Sequence, residues 1–156
     1  MDNYLNIILQ NTYTLSQLKH RISALKAFLE QQFFGGIKDL SQIDINWINS
    51  LSPTFLQNFN KDNLASVFEG LQRQITQLQT LTLYLTFDPD IESIQQIGEF
   101  ARRTFSPLIM LDIKYDPNLI AGTALVWKGV YKDYSLRSKI DARKGEILES
   151  FKKFLR

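Results

Sequence analysis

The hydrophobic period of this chain changes at Thr80, and that change limits what each side of it can fold into. Before Thr80, apolar residues recur in steps of three and four. One set is Leu15, Leu18, Ile22, Leu25 and Leu29; another is Leu64, Val67, Phe68, Leu71, Ile75 and Leu78. Such spacing places each set on one stripe of an α-helix. After Thr80, Leu81, Leu83, Leu85 and Phe87 alternate with Thr82, Tyr84 and Thr86, the period-two pattern of a half-buried strand. A helix with one apolar stripe gains its stability from partners. Residues 1–79 are therefore expected to form a helical bundle, and residues 80–156 a smaller α+β unit.

Local signals divide these regions further. A short opening helix is expected over residues 5–9. Thr14 is placed to cap the first long helix, and Gly35 and Gly36 to end it. Ser52 and Pro53 read as an N-cap followed by the first helical position. Asn60 or Asp62 would cap the second long helix. Asp88 would cap the next, with Pro89 at its first position and Asp90 in its first turn. Ile91, Ile94, Ile97 and Phe100 would line its buried face, with Arg102 and Arg103 near its C-terminal end. Residues 107–115 read as a strand, buried over 108–111. Residues 136–156 read as one closing helix with Leu136, Ile140, Ile147, Phe151, Phe154 and Leu155 apolar. The expected order is a helical bundle, then strand–helix–strand–strand–strand–helix. That is an α+β fold in which a small mixed sheet with two helices follows the bundle.

Between the last strands lies the most distinctive stretch, residues 116–137. Pro117 fixes its own φ and pushes Asp116 toward an extended conformation, so the chain turns there. Gly122, just after Leu119, Ile120 and Ala121, permits a positive φ or a close backbone approach. Thr123 to Trp127 is rich in strand-forming types, Lys128–Gly129 suits a hairpin turn, and Val130 starts the return strand. Asp133 and Ser135 can accept hydrogen bonds from the free N–H groups of a helix start.

Composition is that of an ordinary globular protein, with 44% hydrophobic and 22% charged residues. A formal net charge of +2 does not by itself argue for nucleic acid. The charge is uneven: residues 1–80 balance, 81–123 are net acidic, and 124–156 are basic. The basic end is either a solvated helix face or a surface with a preference for acidic partners. No apolar run reaches the roughly 20 residues of a membrane span, and the N-terminus lacks the pattern of a secretory signal. A soluble intracellular protein is expected.

Catalytic material is sparse. The chain has no cysteine and one histidine, His20, which lies off the Leu18–Ile22 stripe and reads as an exposed helix residue. A zinc site would need mostly carboxylates. There is neither a Walker-type loop nor a Gly-x-Gly-x-x-Gly turn. Asp112 and Asp116 would share a strand face at about 13 Å, too far for a shared proton. Asp133, Ser135 and Arg137 include no base for the serine. No cofactor or metal is expected. Trp127, Lys128, Tyr131, Lys132 and Tyr134 could form a stacking platform for single-stranded nucleic acid; packing of Trp127 and Tyr131 is the preferred reading.

The residues Asp116, Pro117, Leu119, Ile120, Ala121 and Gly122, followed at the family's spacing by Asp133, Ser135 and Arg137, resemble the C-terminal signature of the delta subunit of F-type ATP synthase. This family includes the oligomycin-sensitivity-conferring protein of mitochondria. Ala121 stands where the family has its first glycine, and Tyr134 where it has a small residue. The family's bundle is longer than residues 1–79 and often opens with a Tyr-Ala-Leu pattern that this chain lacks. The resemblance implies a non-catalytic stator subunit in proton-driven ATP synthesis. Its bundle would hold N-terminal segments of the alpha subunits, and its C-terminal part the end of stalk subunit b. It would lie in the cytoplasm against the inner face of the cell membrane, held there by the complex. Arg137, Ile140, Ile147, Phe151 and Phe154 would be the partner contacts, through a helix lying in a groove. A small nucleic-acid-binding module and a helical adaptor of another assembly are the alternatives.

Overall fold

A computed structural model describes residues 2–37 and 39–154. Among these the chain forms eight helices and a four-stranded mixed sheet, an α+β fold with the helical region first. Five helices come before Thr80: α1 (Asp2–Leu9), α2 (Leu15–Phe34), α3 (Gln42–Ser50), α4 (Pro53–Gln57) and α5 (Leu64–Gln77). Thr14 caps α2, its hydroxyl accepting from the Gln17 N–H at 3.1 Å, and Gly35 ends that helix at φ 77°. Ser52 caps α4, with Pro53 at the first position. Leu18, Ile22, Leu25 and Leu29 meet Phe55, Phe59, Phe68 and Leu71 in one core. Tyr4, Phe55, Phe59 and Phe68 form a chain of ring contacts through it.

The start of α5 differs from expectation. Asn63 is its N-cap residue, without a side-chain cap bond. Asn60 acts one turn earlier, its Oδ1 accepting from the N–H groups of Asp62 and Asn63. An Asx turn therefore delivers the chain to the helix.

β1 (Thr80–Leu85) buries Leu81, Leu83 and Leu85, while Phe87 lies beyond its end and is exposed. β2 (Met110–Tyr115) pairs parallel to β1, which requires the crossover helix α6 (Ile91–Thr104). A 3-10 turn (Pro117–Leu119) leads to β3 (Thr123–Trp127) and β4 (Val130–Asp133), which pair antiparallel in the order β2-β1-β3-β4. Asp90, not Asp88, caps α6, its Oδ1 accepting from the Ser93 N–H at 2.8 Å. The expected buried face of α6 holds in part: Ile97 packs against the sheet core and Ile94 is half-buried. Gly98 and Ala101 are its buried residues, whereas Ile91 and Phe100 are exposed. The Tyr13 ring occupies the space that a Cβ at Gly98 would need, so a close approach shares this face with the packing of Ile97 and Ala101. β2 starts at Met110, later than expected, and Leu108 is exposed.

The helices and the sheet share a seam. The Leu111 N–H donates to the Tyr13 carbonyl at 2.8 Å, and Thr14 bridges Leu111 in parallel. Met110 enters the helical core. The expected single closing helix is two helices, α7 (Leu136–Ala142) and α8 (Lys144–Phe154), interrupted at Arg143; Leu155 and Arg156 lie outside the described residues. Neither helix buries a residue. The closing helix therefore does not cover the sheet. Among the described residues, no helix is long and apolar enough to cross a membrane.

Candidate partner-binding surface

The stretch after β2 folds back on the helix start that follows β4. Asp116 Oδ1 accepts from the Asn118 N–H at 3.0 Å, and Leu119 is buried. Ile120 has φ 68° and Gly122 φ 89°. Ala121 is not among the residues with positive φ, so alanine fits where the related pattern has glycine; the strained position is Ile120. The Ala121 carbonyl accepts from the Leu136 N–H at 2.7 Å. A Cβ on Gly122 would lie 2.9 Å from the Tyr134 carbonyl oxygen, so both reasons for a glycine hold at this position.

Ser135 is fully buried and caps α7, its Oγ accepting from the Ser138 N–H at 3.2 Å. Asp133 Oδ1 accepts from the Ser135 N–H at 2.8 Å, and hydrogen bonding from Ser135 holds the Asp133 carboxyl below its usual pKa. Arg137 donates to the Asn118 carbonyl at 3.5 Å, and its Nε lies 3.8 Å from Asp141. Asp116, Pro117, Leu119, Ile120, Ala121, Gly122, Asp133, Ser135 and Arg137 thus converge as one interlocked corner. Its chemistry is that of caps and turns.

From this corner α7 and α8 project their apolar residues outward. Ile140, Ile147, Phe151 and Phe154 all remain exposed, Phe154 at 92%. Ile147, Phe151 and Phe154 line an open depression of about 500 Å3 with Arg143, Glu146 and Ser150. Apolar side chains at steps of four and three form the stripe that a partner helix covers. Residues 136–154 carry six basic and three acidic side chains, and the depression itself is lined by Arg143 and Glu146.

A second open region lies at the far end of the bundle. Phe28, Leu40 and Ile45 border a recess of about 630 Å3, and Phe34, Ile37 and Ile43 are exposed on the same elements or the loop between them.

The hairpin turn at Lys128 (φ 48°) and Gly129 (φ 78°) divides the aromatic residues between two sheet faces. Trp127 is half-buried, its ring 5.3 Å from that of Phe105. Tyr131 is exposed, with its ring 6.4 Å edge-on from Tyr84. Packing holds for Trp127, therefore, but not for Tyr131. Lys128, Lys132 and Tyr134 stay on the Trp127 side.

His20 is exposed, but has a partner that the sequence did not disclose. Its Nε2 lies 2.7 Å from Asp44 Oδ1, while the Ser41 hydroxyl donates to Asp44 Oδ2 at 2.7 Å. The serine bonds the carboxylate and not the imidazole, so the group contains no activated nucleophile. The local signal was Ser41 three residues ahead of Asp44, the spacing of a capping box. Asp112 lies 3.4 Å from Lys114. Among the described residues, no three histidine or acidic side chains are grouped to hold a metal. Compared with known proteins, the chain matches no family model, and no curated protein matches it significantly.

Proposed function

We propose that this chain is a non-catalytic peripheral-stalk subunit of an F-type ATP synthase, linking the catalytic head to stalk subunit b in proton-driven ATP synthesis. The supporting observation is the interlock of the Asp116–Gly122 turn with the Asp133–Arg137 helix start, which makes one structural unit of the residues carrying the resemblance. Beyond that unit, α7 and α8 offer an apolar stripe that the other described residues leave exposed. A joint that resists torque needs packed helices and apolar contacts, and it needs no acid–base pair. The recess beside Phe28 and Ile45 suits the N-terminal segments of alpha subunits, and the α8 stripe suits the C-terminal helix of subunit b. The basic side chains around α8 would steer an acidic stalk segment toward it. Membrane association would come only through the complex.

Calorimetric titration of the full chain with the C-terminal peptide of stalk subunit b from the same genome tests this reading. Saturable binding at or below about 10 μM, roughly −7 kcal/mol, is expected. A flat titration to about 1 mM, near −4 kcal/mol, overturns it. Genes for the alpha and b subunits beside this one would support the same assignment.

A further inference from the structure

The two edges of the sheet are treated differently. At β2, the chain closes the edge itself: the Tyr13 carbonyl takes the Leu111 N–H, and Thr14 continues the contact. At the other end of the order β2-β1-β3-β4, all four residues of β4 are exposed, and among the described residues no strand lies beyond them. Beside this open edge is a groove of about 340 Å3, walled by Phe105, Leu125, Trp127, Val130 and Tyr134 and rimmed by Lys128 and Lys132. None of the residues bordering the groove is acidic. The nearby Asp133 is already engaged by the Ser135 N–H and the Tyr131 hydroxyl.

We propose that β4 and this groove form a docking site for an extended acidic segment of a partner protein, which adds to the sheet as a fifth strand. An edge strand supplies unpaired backbone donors and acceptors, and a pocket beside it selects alternate side chains of the added strand. An apolar side chain would enter between Trp127 and Tyr134, and acidic side chains two residues away on the same face would meet Lys128 and Lys132. A second copy of this chain does not fit the edge. Antiparallel pairing of two β4 strands would place both Lys128–Lys132 pairs on one face of the joined sheet, where like charges repel. Lysine on a short edge strand also deters neutral strands. An acidic strand is the occupant for which both lysines become favourable. The site lies apart from the α8 stripe, and stands or falls independently of the stalk assignment.

The test uses the full chain with Trp47→Phe, leaving Trp127 as the only tryptophan. The probe is an acetylated valine–glutamate peptide, Glu-Thr-Val-Thr-Glu, which puts valine and both glutamates on one strand face with threonine on the other. Saturable change in Trp127 emission is expected, together with slowed hydrogen exchange confined to residues 130–133. In Lys128→Asn/Lys132→Glu the affinity should fall at least about tenfold, asparagine being chosen because it tolerates the positive φ at residue 128. Methylation of alternate peptide nitrogens should abolish binding, and the counterpart with lysine in place of both glutamates should not bind. No saturation at millimolar peptide, equal affinity in the double variant, or protection elsewhere than β4 each overturns the proposal.

Discussion

Arg102 on α6 donates to the Thr12 carbonyl at 2.6 Å, across the seam between the helical region and the sheet. The same guanidinium reaches the Leu9 carbonyl at the end of α1, at 3.3 Å, and lies 4.7 Å from the centre of the Tyr13 ring. Burial pushes its pKa below the ordinary arginine value, and its buried Nε has no hydrogen-bond partner. The cost of that burial is offset by the carbonyls, which sit at the negative end of a helix. Tyr13 packs on Gly98 of the same helix, so α6 holds the α1–α2 connection by a side chain and by a close approach.

Arg102→Ala should destabilise the chain by about 1.5–3 kcal/mol, the range for hydrogen bonds to a charged group. Trp47 lies in the bundle and Trp127 in the sheet, so single-tryptophan variants report each region separately. Their urea transitions should coincide in the parent chain and separate in Arg102→Ala. Arg102→Lys should recover less than half of the loss, because an ammonium lacks the fork that spans Leu9 and Thr12. Coincident transitions in the alanine variant would show that Arg102 does not couple the regions.

Gly122→Ala should cost about 1–3 kcal/mol. The methyl group would meet the Tyr134 carbonyl and the Ser135 Cα in a conformation that L side chains rarely adopt. Ala121→Gly, with no positive φ to relieve, should stabilise nothing. An unchanged denaturation midpoint for Gly122→Ala would argue against the interlocked corner.

Asp44 gives a pH signature. The Ser41 hydrogen bond, aided by His20, holds its carboxyl below the usual pKa against the opposing effect of burial. A depressed folded pKa stabilises at pH values above the ordinary carboxylate pKa of about 4, and this stabilisation is lost as pH falls through the folded value. The Tm of Asp44→Asn should therefore lie below that of the parent at pH 7, and the gap should close in acid. A gap that stays constant from pH 7 to pH 3 would assign the effect to packing.

Phe151→Glu and Phe154→Glu separate folding from binding. Both side chains are exposed, so stability should change by less than about 0.5 kcal/mol. Binding of the stalk b peptide should be lost in each, while the valine–glutamate peptide at β4 should bind as before. Loss of helicity in α8 without loss of peptide binding would move the stalk contact elsewhere.

The change of period at Thr80 was enough to order the architecture, because burial of an apolar stripe and burial of an alternating strand are local geometric demands. Thr14, Gly35, Ser52, Ser135 and the Lys128–Gly129 turn were equally readable, since each satisfies the backbone within a few residues of itself. Tertiary contact decided the rest. On α6 the apolar count found Ile97, but not Tyr13 pressing on Gly98, a fit that a glycine does not announce. Asp44 and Arg102 found partners through the fold, in the first case 24 residues away. The residues of α7 and α8 already spelled an amphipathic stripe; that the other described residues leave it exposed depends on where the sheet and bundle lie, since burial belongs to pairs of surfaces and a sequence specifies only one of them at a time.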